Sequence, residues 1–215
     1  MQAITSDESR DVCLQAQGLS CVRDDRELFN DLSFSLQPHQ ALLVEGRNGS
    51  GKSTLLRILC GIRRQDSGEV NWCGEAIDRL GADYHAHLAY VGHTDGSKLD
   101  LTALENLRIA QALGKPASMS VEDALDRVDL YGYEDVLARN MSAGQRRRLA
   151  LARLLVTDCR LWILDEPFTA LDRESRDVFR ELLESHTVDG GMVVLTAHHD
   201  IELSNVEVKH LNLSA

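Results

Sequence analysis

Gly46-Arg47-Asn48-Gly49-Ser50-Gly51-Lys52-Ser53 decides the fold. The order G-x-x-x-x-G-K-S, followed by Thr54, is the pattern of a loop that cradles phosphate groups. Its glycines let backbone N–H groups come close to phosphate oxygens, and the N-terminus of the helix behind adds partial positive charge. Lys52 can reach the β- and γ-phosphates as a point charge, and the Ser53 hydroxyl can ligate Mg²⁺. The flanks agree with this reading. Ala41-Leu42-Leu43-Val44 is a continuous apolar run that suits a strand covered on both faces. Beyond the loop, Leu55, Leu56, Ile58 and Leu59 carry helical spacing.

A second apolar strand, Leu161-Trp162-Ile163-Leu164, runs into Asp165-Glu166. At the C-terminal edge of a sheet Asp165 would lie beside the phosphate loop and hold Mg²⁺, and Glu166 could take the proton of an attacking water. Between the two motifs, Ser142-Ala143-Gly144-Gln145 opens an Arg-rich helix. Ser142 is first of all an N-cap, yet the same geometry binds anions, and Arg146, Arg147 and Arg148 raise the local positive potential. The three arginines fan around the helix, so at least one is expected to make only structural or solvent contacts.

The remaining pattern predicts strands at Asp31–Leu36, around Glu69–Trp72, at Leu88–Val91, at Met192–Thr196 and over Val206–Leu213. Helices are expected over Ser142–Val156 and Arg173–His186. Strands alternating with helices around apolar runs indicate an α/β domain of the P-loop NTPase type. From about Gly96 to Asn140 the pattern is helical and polar. With the Arg-rich helix it makes an inserted helical subdomain of about 95–157 within a single domain of 12–215, behind a tail of 1–11.

The 215 residues are 43% hydrophobic and 27% charged, ample for a packed core and unlike a disordered chain. No stretch approaches the ~18–20 uncharged residues that cross a bilayer. Met1–Asp11 is polar and acidic where a secretion signal would be basic and then apolar. A net charge of −11 argues against a general nucleic-acid binder. The five cysteines form an odd set without CxxC or CxxCH spacing, so packing cysteines in a reducing compartment are expected. The cysteines and histidines form no recognisable haem-ligand motif.

Taken in order, these motifs resemble the nucleotide-binding subunits of ATP-binding cassette (ABC) transporters over nearly the whole chain. The resemblance makes 46–54 the Walker A loop, Met141–Gln145 the signature sequence, 161–166 the Walker B strand, Ala170-Leu171-Asp172 the D-loop and His198 the switch histidine. It implies ATP and Mg²⁺ as ligands, and a second copy of the chain in a head-to-tail dimer that sandwiches two ATPs. Ser142, Gly144 and Gln145 would then serve the partner's nucleotide, while His198 would keep the γ-phosphate, Glu166 and water in register. Tyr90-Val91-Gly92-His93, Leu101–Leu107 and Leu161–Ala170 are similar to the haem-exporter branch of cytochrome c biogenesis. That likeness implies integral-membrane partners, a peripheral position on the cytoplasmic face of the bacterial inner membrane, and release of a haem-loaded chaperone complex on ATP turnover.

Three positions depart from the family pattern. His93 stands where Gln is usual; Mg²⁺ prefers oxygen ligands, so a hydrogen bond through a Mg²⁺-bound water is expected of the imidazole. The signature has Met141 and Ala143 in place of Leu and Gly. Neither Val22 nor Arg23 is aromatic, where an adenine-stacking ring is expected, although the Arg23 guanidinium can stack on a base. Two alternatives remain: the ATPase of another small-molecule exporter, or a soluble ABC protein acting on nucleic acid or ribosomes. Against the second stand the short Lys52-to-Ser142 interval, the single cassette and the acidity.

Overall fold

The computed structural model describes residues 13–197 and 201–214. Its strands are β1 (Leu14–Arg23), β2 (Arg26–Leu36), β3 (Gln40–Glu45), β4 (Ser67–Trp72), β5 (Glu75–Ala76), β6 (Leu88–Val91), β7 (Leu161–Leu164), β8 (Met192–Thr196) and β9 (Glu207–Asn212). Its helices are α1 (Lys52–Leu59), α2 (Ile77–Leu80), α3 (Ala82–His85), α4 (Ala103–Leu113), α5 (Val121–Arg127), α6 (Ala143–Leu155) and α7 (Arg173–Val188), with a 3-10 turn at Ala138–Asn140. Among the described residues no helix is long and apolar enough to cross a membrane.

Five parallel strands in the order β6-β7-β8-β3-β9 make the central sheet. Burial on both faces explains the unbroken apolar runs of β3, β7 and β8. Leu42 and Val44 face one way with Leu161, Ile163 and Val194, and receive α1 through Leu55, Leu56, Ile58 and Leu59. Ala41 and Leu43 face the other way with Trp162, Leu164, Val193 and Leu195, where α6 and α7 supply Ala150, Leu151, Leu154, Phe179 and Leu183. Each large aliphatic side chain buried in this way contributes about 1.5–3 kcal/mol. Helix α6 has a second apolar stripe, Leu149 and Ala152, continued by Val156 just past its end, that packs on Leu107 of α4 and Leu125 of α5. It therefore joins the helical region to the central sheet.

The sequence pattern shows no strand at β1 and no second sheet. The structure has an antiparallel sheet, β2-β1-β4-β5, laid over the other side of α1. β1 escapes pattern recognition because it bulges at Gly18, whose φ of 60° belongs to the left-handed region. The inward residues are Leu14 and Ala16, then Leu19 and Cys21, so the two-residue alternation slips in mid-strand. The other expected strands lie within a residue or two of their places, except that β2 starts upstream, at Arg26.

Candidate functional site

Residues 46–51 turn from the end of β3 into α1. Gly51 caps the helix at φ 103°, and a Cβ there would meet Leu28 of β2 at 3.1 Å. Only glycine suits both conditions, a left-handed backbone and a strand pressed against it. Lys52 is 7% exposed, and its Nζ donates to Gly46 O at 2.6 Å and Arg47 O at 3.4 Å. The ammonium therefore lies inside the loop's curve. Ser50 and Thr54 are buried behind it, and Ser53 is half-buried at the start of the helix. On its outer side the loop is braced by the segment after β9, where Arg47 N donates to Ser214 Oγ at 2.8 Å. No sequence signal pointed to Ser214.

β7 delivers Asp165 at 2% exposure. The fully buried Thr196 at the end of β8 donates from Oγ1 to Asp165 Oδ1 at 2.9 Å and accepts from Glu166 N at 2.8 Å. Glu166 has φ 49°, a left-handed conformation that costs a non-glycine residue about 1–2 kcal/mol. Arg147 reaches the same turn from α6 and donates to the carbonyls of Asp165 and Glu166. Burial lowers the Arg147 pKa, and the nearby Asp95 carboxylate offsets part of that effect. The run of three arginines was visible in the sequence; which of them turns inward was not.

A pocket of about 660 Å³ brings Asn48, Gly49, Gly51, Lys52, Ser53 and Thr54 together with His93 and Glu166. Arg23, Asp24, Arg26 and Leu28, from the β1–β2 hairpin, complete the described wall. Glu166 also borders a second cavity, of about 720 Å³, with Phe168, Thr169, Ala170 and Thr196. Among the described residues no cluster of three His, Cys, Asp or Glu side chains could hold a metal by itself. The Ser53 hydroxyl and the buried Asp165 carboxylate both offer oxygen donors. This fits Mg²⁺, which takes few protein ligands and completes its shell with phosphate and water.

Ser142 caps α6 by accepting from Gln145 N at 3.2 Å, and Gln145 Oε1 accepts in return from Ser142 N at 2.8 Å. A Cβ at Gly144 would meet Ala170 O at 3.1 Å, so the helix start packs closely on the Ala170 backbone. Asp172 in turn caps α7 by accepting from Ser175 N at 2.8 Å. None of Ser142, Gly144 and Gln145 is among the described residues that line the pocket around Lys52. His198 lies outside the described residues.

Comparison with known proteins gives a consistent picture. Residues 29–169 match the family model described as "ABC transporter". The cytochrome c biogenesis ATP-binding export protein CcmA of Methylococcus capsulatus is 50% identical over 206 residues, covering 95% of this chain and 99% of the relative. Its counterpart in Nitrosomonas europaea is 49% identical over 203 residues, covering 94% and 95%. A putative ABC transporter ATP-binding protein from Pyrococcus furiosus has the same fold, with a TM-score of 0.79, 21% identity and coverage of 93% and 97%. A dimeric post-hydrolysis state of an ATP-binding cassette, bound to ADP and Pi, superposes with a TM-score of 0.78 at 22% identity, covering 92% and 94%.

Proposed function

The chain belongs to the ABC transporter family, and we propose that it is the ATP-hydrolysing subunit of the haem exporter of cytochrome c biogenesis. One observation supports hydrolysis most directly: Lys52, Ser53 and Glu166 share a pocket, beside the buried Asp165. The loop 46–51 and the first turn of α1 bind the β- and γ-phosphates through backbone N–H groups, and Lys52 adds its charge. Ser53 and Asp165 would hold Mg²⁺, which would supply positive charge at the phosphates. Glu166 accepts the proton of a water that attacks the γ-phosphorus, and the bond to the β–γ bridging oxygen breaks to leave ADP. His93 orients water at the edge of the pocket, and His198 keeps Glu166 and the γ-phosphate in register.

Ser142, Gly144 and Gln145 contact the ATP of a second copy of the chain. Their place outside the pocket around Lys52 supports this, as does the dimeric form of the solved relative. Residues 12–215 form one nucleotide-binding domain, and 95–157 its helical subdomain, which meets integral-membrane partners at the cytoplasmic face of the inner membrane. The 42–50% identity to export proteins of cytochrome c biogenesis supports that choice of complex.

Phosphate release by the membrane-extracted complex tests the reading. The wild type is expected to hydrolyse ATP, with Lys52→Ala weakening nucleotide binding and Glu166→Gln slowing turnover by orders of magnitude while binding persists. The wild type alone is expected to restore c-type cytochrome assembly in a bacterium lacking its own export ATPase. Wild-type turnover no higher than that of Lys52→Ala, or normal c-type cytochromes with Lys52→Ala, would overturn the role of hydrolysis; failure of the wild type to restore c-type cytochromes would overturn the choice of complex.

A further inference from the structure

Arg147 is 3% exposed, and every one of its five N–H donors has an acceptor within reach. Nε donates to Pro167 O at 3.2 Å. Nη1 donates to Gly92 O at 2.9 Å and to Asp95 Oδ1 at 3.4 Å. Nη2 donates to Asp165 O at 2.9 Å and to Glu166 O at 2.8 Å. Three consecutive carbonyls beyond β7 and the chain just past β6 thus close on one guanidinium. Four of the five acceptors are neutral carbonyls, so the arrangement uses the shape of the fork more than its charge. A lysine, with three donors on a single nitrogen, cannot reproduce it.

Glu166 sits at φ 49° in the middle of this clasp. A strained residue of this kind persists only where its surroundings over-determine it. Thr196 grips its N–H and Arg147 grips its carbonyl. Arg147 also stands about a turn and a half along α6 from Ser142, the residue that caps the same helix.

We propose that Arg147 is a positioning residue that fixes the Glu166 backbone and ties it to α6, so that engagement of the α6 N-terminus by a second copy's nucleotide is transmitted to Glu166 of the same chain. This rests on the reading of Glu166 as the proton acceptor. The two sites of the dimer are then linked through each chain's own α6, and ATP turnover is cooperative.

Arg147→Lys and Arg147→Met test it, with steady-state ATPase measured over a range of ATP concentrations and affinity measured with a fluorescent ATP analogue. Both variants are expected to lose at least tenfold in kcat, to keep KM and Kd within threefold, and to bring the Hill coefficient down to 1. A wild-type kcat in Arg147→Lys, or a Kd that rises in step with the fall in kcat, overturns the proposal. Amide hydrogen exchange without nucleotide gives a reading independent of hydrolysis. In Arg147→Lys the amides of 165, 166, 168 and 169 are expected to exchange at least tenfold faster while β3 and β8 stay protected. Unchanged exchange there overturns the positioning role even if the wild type proves inactive, whereas faster exchange beside an inactive wild type means that the hydrolysis reading alone has failed.

Discussion

The Thr196 hydroxyl serves two neighbours at once, donating to Asp165 Oδ1 and accepting from Glu166 N. Thr196→Val keeps the shape and removes both bonds, leaving buried polar groups at a cost of about 1–3 kcal/mol. Melting measurements are expected to show that loss, and ATPase assays a lower kcat; Thr196→Ser is expected to recover most of both. At the pocket edge His93 is exposed, so its replacement disturbs little packing. His93→Gln is expected to retain much of the ATPase activity by offering an oxygen toward Mg²⁺-bound water, and His93→Ala to lower it or to uncouple it from the membrane partner. If His93→Ala equals the wild type with and without that partner, the side chain merely caps the strand end. Lys52, Ser53, Asp165 and Glu166 were legible because each belongs to a short contiguous motif with its own chemistry. Thr196, Arg147 and Ser214 were not, because their partners are remote in sequence and each residue type is common in other roles.

Among the elements, α7 and β7 meet through a pair of rings: His186 stacks on Trp162 with centroids 3.8 Å apart and planes within 5°. Burial pulls the imidazole pKa down from 6.5 to about 4. The unfolded chain therefore takes up the proton first, and stability falls as pH drops from about 6.5 toward 4, by on the order of 3 kcal/mol. Urea midpoints followed across that range are expected to slope less in His186→Phe, which keeps the stacking and loses the titration; an unchanged slope would remove His186 as the cause. Ser142→Ala removes the cap of α6 and is expected to cost about 1 kcal/mol on melting, separately from any effect on turnover. The central parallel strands β3, β7 and β8 were readable as elements because burial on both faces writes itself as an apolar run. β1 was not, because the bulge at Gly18 moves its inward side chains out of phase, and with it went the antiparallel sheet.

At the scale of the whole molecule, the residues proposed to serve one ATP are split between two places on the surface. The pocket around Lys52 lacks Ser142, Gly144 and Gln145 among its described lining, and these residues stand at the exposed start of α6 instead. Order along the chain revealed the motifs, and the family resemblance implied this separation, whose physical basis is the packing of α6 between the helical region and the central sheet. Two copies placed head to tail would complete both sites. Light scattering on Glu166→Gln, with and without ATP and Mg²⁺, tests this most directly, because hydrolysis is too slow there to dissolve the assembly. A monomer without nucleotide that doubles in mass with ATP and Mg²⁺, and fails to do so when Lys52→Ala is added, is the expected result. A mass indifferent to ATP, whether of one copy or two, would contradict the composite site.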